Sequence, residues 1–289
     1  MAERVAWLNG SFVPLADAKV SALDRGFLFA DGIYEVTAVL GGRLVGSAAH
    51  LARLERSAAA LGLKLPMTPD AIEAIERELI VRNALDQGTV YLQLTRGAGE
   101  RDFLPTAGTP PTLFLFAQVR DILNNPAALD GIDVVTMPDL RWARRDIKSV
   151  MLLAQVLAKR TAADAGAQEA WLVEDGLVTE GASSTALILT RERTLVTRPN
   201  SRAILPGCTR AAVMALADRD GIRLEERAFS VAEALDAQEA MLTSASAFVL
   251  PIVRIDGQPI GAGVPGPVAA RLRALYIEAA IAGTHDPLA

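Results

Sequence analysis

The sequence predicts a mixed α/β protein of two domains, and three observations lead there. Its 289 residues exceed the usual size of a single domain. Hydrophobic residues make up 51% and charged residues 22%, a balance that fills cores and argues against disorder. Runs with the period of a strand alternate with runs of helical period in both halves of the chain. We expect a smaller amino-terminal α/β domain over residues 1–120, a linker over 121–131 marked by Asn124-Asn125-Pro126, and a larger domain over 132–289.

Taken in order, Val5 to Leu8 and Phe12 to Val13 flank Asn9-Gly10, a hairpin signal, and Ile33 to Leu40 and Arg43 to Val45 flank Gly41-Gly42 likewise. A helix follows from about Ala48 to Leu61, with Leu51, Leu54, Ala58 and Leu61 on one face. A second starts at Thr68-Pro69, a cap followed by proline at the first helical position. Strands are expected over Thr89 to Thr95 and Thr112 to Val119. The intervening Gly97 to Pro111 is long for a hairpin loop, and long loops are often functional. In the second half, Ile132 to Thr136 reads as a strand and Val150 to Ala165 as a helix stopped by Gly166. Glu169 to Glu174 and Leu177 to Thr179 form a hairpin on Asp175-Gly176, and a strand runs from Thr185 to Thr190. Helices follow from about Thr209 to Arg219, from Val231 to Leu235, and after Pro267.

Composition excludes several classes. A net charge of −5 offers no general basic surface to draw in nucleic acid. The arginines from Arg141 to Arg145, interrupted by Trp142, read instead as a small anion site. Cys208 is the only cysteine, so no intrachain disulfide is possible. His50 and His285 lie too far apart in sequence to suggest a zinc site. With no apolar signal core and no run long enough to span a membrane, a cytoplasmic protein is expected.

The segment Arg144-Arg145-Asp146-Ile147-Lys148-Ser149 places a lysine where an apolar helix is expected to start. Desolvation and neighbouring cations both favour the neutral amine, the form that attacks a carbonyl carbon. Lys148 is therefore a candidate Schiff-base lysine, although a solvated lysine at a helix start has the same local pattern. Leu205-Pro206-Gly207-Cys208-Thr209-Arg210 precedes an amphipathic helix and could bind a phosphate through backbone N–H groups, or be an ordinary helix entry. Glu180, between Thr179 and Gly181, reads locally as part of a surface turn. Ser183, Ser184 and Thr185 could cap a strand or bind a ligand. Tyr34 could face the core or a pocket, and Arg53 and Arg101 read locally as solvated.

Together these segments resemble a known family. The order Asp24-Arg25-Gly26-(x)4-Asp31-Gly32-x-Tyr34-Glu35, Asp146-Ile147-Lys148-Ser149, Thr179-Glu180-Gly181-x-Ser183-Ser184 and Leu205-x-Gly207-x-Thr209-Arg210 is similar to that of fold-type IV pyridoxal-phosphate enzymes, above all D-amino-acid transaminases. The likeness runs from about Trp7 to beyond Ile260 and implies a two-domain fold with pyridoxal 5'-phosphate between the domains. It implies that an amino group passes from a D-amino acid such as D-alanine to a 2-oxo acid by a ping-pong mechanism. Lys148 would hold the cofactor and shuttle a proton, and Glu180 would bond the pyridine nitrogen. Arg53, Cys208 and Thr209 would bind the phosphate. Gly207 would admit that phosphate closely, Leu205 would pack on the ring, and Ser184 would join the cofactor shell. Tyr34 and Arg101 would receive the substrate carboxylate, with the arginine loop reaching in from the other subunit of a homodimer.

Two positions depart from the family. Its Arg-x-His is Arg101-Asp102-Phe103 here, which removes one polar partner of the carboxylate. A phosphate-binding threonine expected near the carboxy-terminal end is Ala245, leaving Ser246, the local backbone or Ser244 to serve. Aminodeoxychorismate lyases share the Arg-Gly-(x)4-Asp-Gly opening but tend to carry Phe-Glu-Thr where this chain has Tyr34-Glu35-Val36. Branched-chain and (R)-amine transaminases share the scaffold but differ in the substrate loop.

Overall fold

The structure, a computed structural model, describes residues 4–283; His285 lies outside them. The chain divides into two units. The first runs to Asp121 and takes back Ile147–Met151, and the second comprises Ile122–Asp146 and everything from Leu152 onward.

The first unit contains β1 (Val5–Leu8), β2 (Ser11–Pro14), α1 (Arg25–Phe29), β3 (Gly32–Leu40), β4 (Arg43–Val45), α2 (Ser47–Leu61), α3 (Pro69–Arg82), β5 (Gln87–Thr95) and β6 (Thr112–Val119). Its six-stranded sheet runs β2-β1-β6-β5-β3-β4, with every pair antiparallel. Asn9 and Gly10 both take positive φ, as a tight hairpin turn requires. The Thr68 side chain accepts the Ala71 N–H and caps α3. Alternation along the central strands separates two sets of side chains. Val90, Leu92, Leu94, Leu113 and Leu115 are buried. Tyr34, Tyr91, Phe114 and Phe116 are half-buried and form a continuous aromatic row, with neighbouring rings 5.1–5.7 Å apart.

The second unit contains α4 (Ala127–Asp130), β7 (Ile132–Pro138), α5 (Leu153–Asp164), β8 (Glu169–Glu174), β9 (Leu177–Gly181), β10 (Thr185–Leu189), β11 (Thr194–Thr197), α6 (Cys208–Arg219), β12 (Arg223–Glu226), α7 (Val231–Asp236), β13 (Glu239–Ser244), β14 (Phe248–Ile255), β15 (Gln258–Pro259) and α8 (Pro267–Ala282). Its mixed sheet runs β12-β11-β10-β13-β14-β7-β8-β9, with β15 paired to β14. The β7–β8, β7–β14 and β11–β12 pairs are parallel. One core gathers Trp171, Phe229, Ile188, Val196 and Ile252, with the Trp171 and Phe229 rings edge to face at 5.8 Å. The stretch read as a linker holds the short helix α4. Among the described residues no helix is long and apolar enough to cross a membrane.

Candidate active site

Lys148 does not open a helix, since α5 begins only at Leu153. It lies at the centre of a tight turn, closed by Ser149 N donating to Ile147 O at 2.8 Å, that docks on the start of β3. Tyr34 N donates to Lys148 O at 3.0 Å and Val150 N to Gly32 O at 3.0 Å, and Ile33 bridges Ser149. The Lys148 N–H also reaches Ser57 Oγ on α2 at 3.4 Å. Backbone bonds thus fix the lysine from both sides, and its Nζ stands 4.2 Å from the centroid of the Tyr34 ring. The arginines just before it are committed elsewhere and form no anion site. Arg144 pairs with Asp146, Arg145 with Glu174, and Arg141 with Asp139 and Glu180.

Arg53 is not solvated: it is 4% exposed. Its Nε and Nη2 grip the two Glu35 oxygens at 2.8 and 2.7 Å, and His50 Nδ1 lies 2.8 Å from Glu35 Oε2. Burial works to raise the Glu35 carboxyl, but the Arg53 guanidinium and His50 hold it well below the usual carboxylate range. The side chains of β3, Tyr34 and Glu35, therefore serve two different settings because strand neighbours face opposite ways. Arg101 and Phe103 lie exposed in the β5–β6 loop. The Arg101 guanidinium carbon stands 5.4 Å over the Phe29 ring, and Phe103 stacks obliquely on that ring at 5.7 Å.

In the second unit, Glu180 is no surface turn. It sits on β9 and is 4% exposed. Arg141 Nη1 donates to its Oε1, and Leu205 N approaches both oxygens at 3.1 and 3.2 Å. Arg141 is itself held by Asp139, which also accepts the Thr179 hydroxyl at 2.7 Å. Burial pushes the Glu180 carboxyl above the ordinary glutamate range, while Arg141 and the Leu205 N–H pull against it. Asp139 escaped the sequence reading, which placed Arg141 only in an anion site, Glu35 only in a motif and His50 only in the case against zinc. A buried charged pair leaves no periodic trace, and the one available signal was Asp139 two residues before Arg141.

Ser184 is buried, and its hydroxyl donates to Glu169 at 3.0 Å, as does that of Ser183. Gly207 takes the N-cap position of α6 in extended conformation with no side-chain cap, and Cys208 and Thr209 form the first turn. A Cβ on Gly207 would stand 2.9 Å from Thr185 Oγ1, so the backbone runs close to β10 there. Burial pushes the Tyr276 phenol up to about 12, against a bond with the Thr209 side chain. Ser244 ends β13, with Ala245 and Ser246 in the turn that follows. Beside them Thr243, which the sequence reading passed over, has a buried hydroxyl without a hydrogen-bond partner.

A lysine docked on an all-antiparallel sheet, and an arginine-held buried glutamate on a larger mixed sheet, are groups of the kind that amine chemistry uses. The chain matches the amino-transferase class IV family over residues 32–255 and belongs to that family. It is 38% identical over 262 residues to a D-alanine aminotransferase of Bacillus licheniformis, covering 90% of this chain and 91% of that one. It is 37% identical over 268 residues to a D-alanine aminotransferase of Staphylococcus aureus (strain N315), covering 92% and 94%. Among solved structures, a branched-chain amino acid aminotransferase of T.th. with pyridoxamine 5'-phosphate superposes with a TM-score of 0.89. That protein is 26% identical, and the match covers 98% of this chain and 96% of that one.

Proposed function

We propose that the protein is a pyridoxal-phosphate-dependent D-amino-acid transaminase. It moves the amino group of a donor such as D-alanine to pyruvate or 2-oxoglutarate in two half-reactions. The relatives named D-alanine aminotransferase support the donor class. The observation that carries the reading is Glu180. A buried carboxylate, tied to Arg141 and a backbone N–H that offset the burial pushing its pKa up, suits a partner for a ring nitrogen.

The residues present fit the cofactor. The orphaned Thr243 hydroxyl and the uncapped start of α6 at Gly207 are hydrogen-bonding groups suited to a phosphate. When bound, pyridoxal phosphate supplies a carbonyl for imine exchange and a conjugated ring that accepts the electron pair released at the substrate α-carbon. Lys148 Nζ provides the attacking amine and then carries the α-proton. Glu180 keeps the proton on the pyridine nitrogen. Cys208, Thr209 and Arg53 would bind the phosphate, with Ser244, Ala245 and Ser246 nearby, and Leu205 would pack on the ring. Arg53 keeps its orientation through Glu35. Tyr34 and Arg101 receive the substrate carboxylate. We assign the enzyme to the cytoplasm, which its single cysteine suits, and to a homodimer whose subunits exchange the Arg101 loop.

Borohydride treatment of the yellow holoenzyme should fix the cofactor on Lys148; fixation on another lysine ends the assignment. A stopped-flow panel of D-alanine, L-leucine and (R)-phenylethylamine then tests the donor class. Bleaching by D-alanine is expected. The likeness to the branched-chain enzyme favours a second reading, which fast bleaching by L-leucine would establish instead.

A further inference from the structure

The Arg101 loop is tied down by a side chain to which no role has yet been given. Arg25, in the first turn of α1, is 6% exposed. Its Nη1 donates to Asp102 O at 2.5 Å and its Nη2 to Phe103 O at 3.0 Å, the two carbonyls directly after Arg101. Its Nε binds Asp31 Oδ2 at 2.9 Å, and Asp31 is clamped in turn by Arg96 Nε and Nη2 at 2.7 and 3.0 Å. The backbone is stitched along the same line. Arg25 N donates to Gly97 O at 2.9 Å, and Asp24 bridges Ala98. Asp24 also accepts the hydroxyls of Thr95 and Thr112, which begin and end this loop, at 2.9 and 2.7 Å. Phe29 completes the arrangement: the Arg25 and Arg101 guanidinium carbons stand 4.7 and 5.4 Å from its ring centroid.

Most buried arginines answer a carboxylate with their terminal nitrogens, but Arg25 spends both on main-chain oxygens of an exposed loop. The planar fork spans two successive carbonyls in a fixed geometry that an ammonium, with its donors on one rotating nitrogen, does not impose. Fixing those carbonyls sets the direction in which the chain leaves Arg101, and with it the reach of that side chain.

We propose that Arg25 is a positioning residue that presents Arg101 to the substrate carboxylate. The proposal rests on the reading of Arg101 given above. Holoenzyme carrying Arg25→Met, Arg25→Lys, Arg101→Ala, or Arg25→Met with Arg101→Ala would be compared with the unsubstituted protein. KM for D-alanine and for pyruvate, kcat, the visible absorbance of the cofactor, and the rate of tryptic cleavage after Arg101 are the readouts. Arg25→Met should raise both KM values about tenfold, with kcat within about threefold and the absorbance unchanged. Arg25→Lys should recover only part of the loss. The double variant should bind no worse than Arg101→Ala alone, because both substitutions remove one interaction. Cleavage after Arg101 should quicken in Arg25→Met. If Arg25→Met fails to fold, Arg25→Lys keeps a cation opposite Asp31 and carries the test through its KM and cleavage rate.

Unchanged KM and cleavage in the Arg25 variants, with KM raised in Arg101→Ala, overturn the positioning role and leave the carboxylate reading intact. Fully multiplicative losses in the double variant overturn it as well. An unchanged KM in Arg101→Ala removes the carboxylate reading, and the proposal with it.

Discussion

Glu180 faces two opposed demands. In the proposed role of partner to a protonated ring nitrogen it would be charged, and burial resists charge. Arg141 is the counterweight, and Asp139 and Thr179 hold Arg141 in place. Replacing Arg141 with Met removes the largest pull on the carboxyl, so its pKa rises further. The acidic limb of the pH dependence of the half-reaction should then move to higher pH by about one unit or more. A profile that stays where it was would show that Arg141 does not govern the ionisation. Glu180→Gln keeps the shape and removes the charge. It should leave cofactor bound, seen in the visible absorbance, while slowing the half-reaction about 100- to 1,000-fold.

At the scale of elements, α3 carries an odd passenger. Glu76 is buried, its Oε2 has no hydrogen-bond partner, and burial pushes its carboxyl up to about 8. Between the unfolded value of 4.5 and about 8 the folded chain holds a proton that the unfolded chain releases. Stability is therefore lost as pH rises through this window, on the order of a few kcal/mol. Glu76→Gln should cancel that loss, so the urea midpoints of variant and parent should part company between pH 5 and pH 8.5, with the variant the more stable at the upper end. Nothing in the helical spacing of Ile72, Ile75 and Leu79 flags Glu76, because a helix pattern records which positions are apolar and not which polar group is trapped among them. The same contrast holds elsewhere. The hairpins at Asn9-Gly10 and Asp175-Gly176 and the capped start of α3 were legible, since turn and cap chemistry is local. The strands β13 and β14 were not, because Glu239–Ser244 and Phe248–Ile255 are buried at nearly every position and show no alternation. Lys148 stood out in the sequence as a candidate, yet the setting of its backbone depends on hydrogen bonds to Gly32 and Tyr34, more than a hundred residues away.

For the molecule as a whole, the exposed apolar residues bear on the proposed homodimer. Phe27, Phe103 and Leu104 in the first unit are each more than three-quarters exposed. In the second, Leu153, Val156 and Leu157 line consecutive turns of α5 at 70%, 59% and 53% exposure. An apolar helix face of this kind costs solvation free energy unless a partner covers it, and under the proposed exchange of the Arg101 loop that partner is a second copy. Val156→Glu places a charge in the middle of that face and leaves Lys148, Glu180 and the loop residues unsubstituted. Sedimentation should then show a shift from dimer toward monomer, with circular dichroism unchanged. If each site borrows Arg101 from its neighbour, KM for D-alanine should climb as the protein is diluted through the dissociation range. The Lys148–cofactor absorbance should fall less, since Lys148 and Glu180 belong to one chain. A variant that is monomeric at every concentration but keeps its KM would place Arg101 in its own subunit's site.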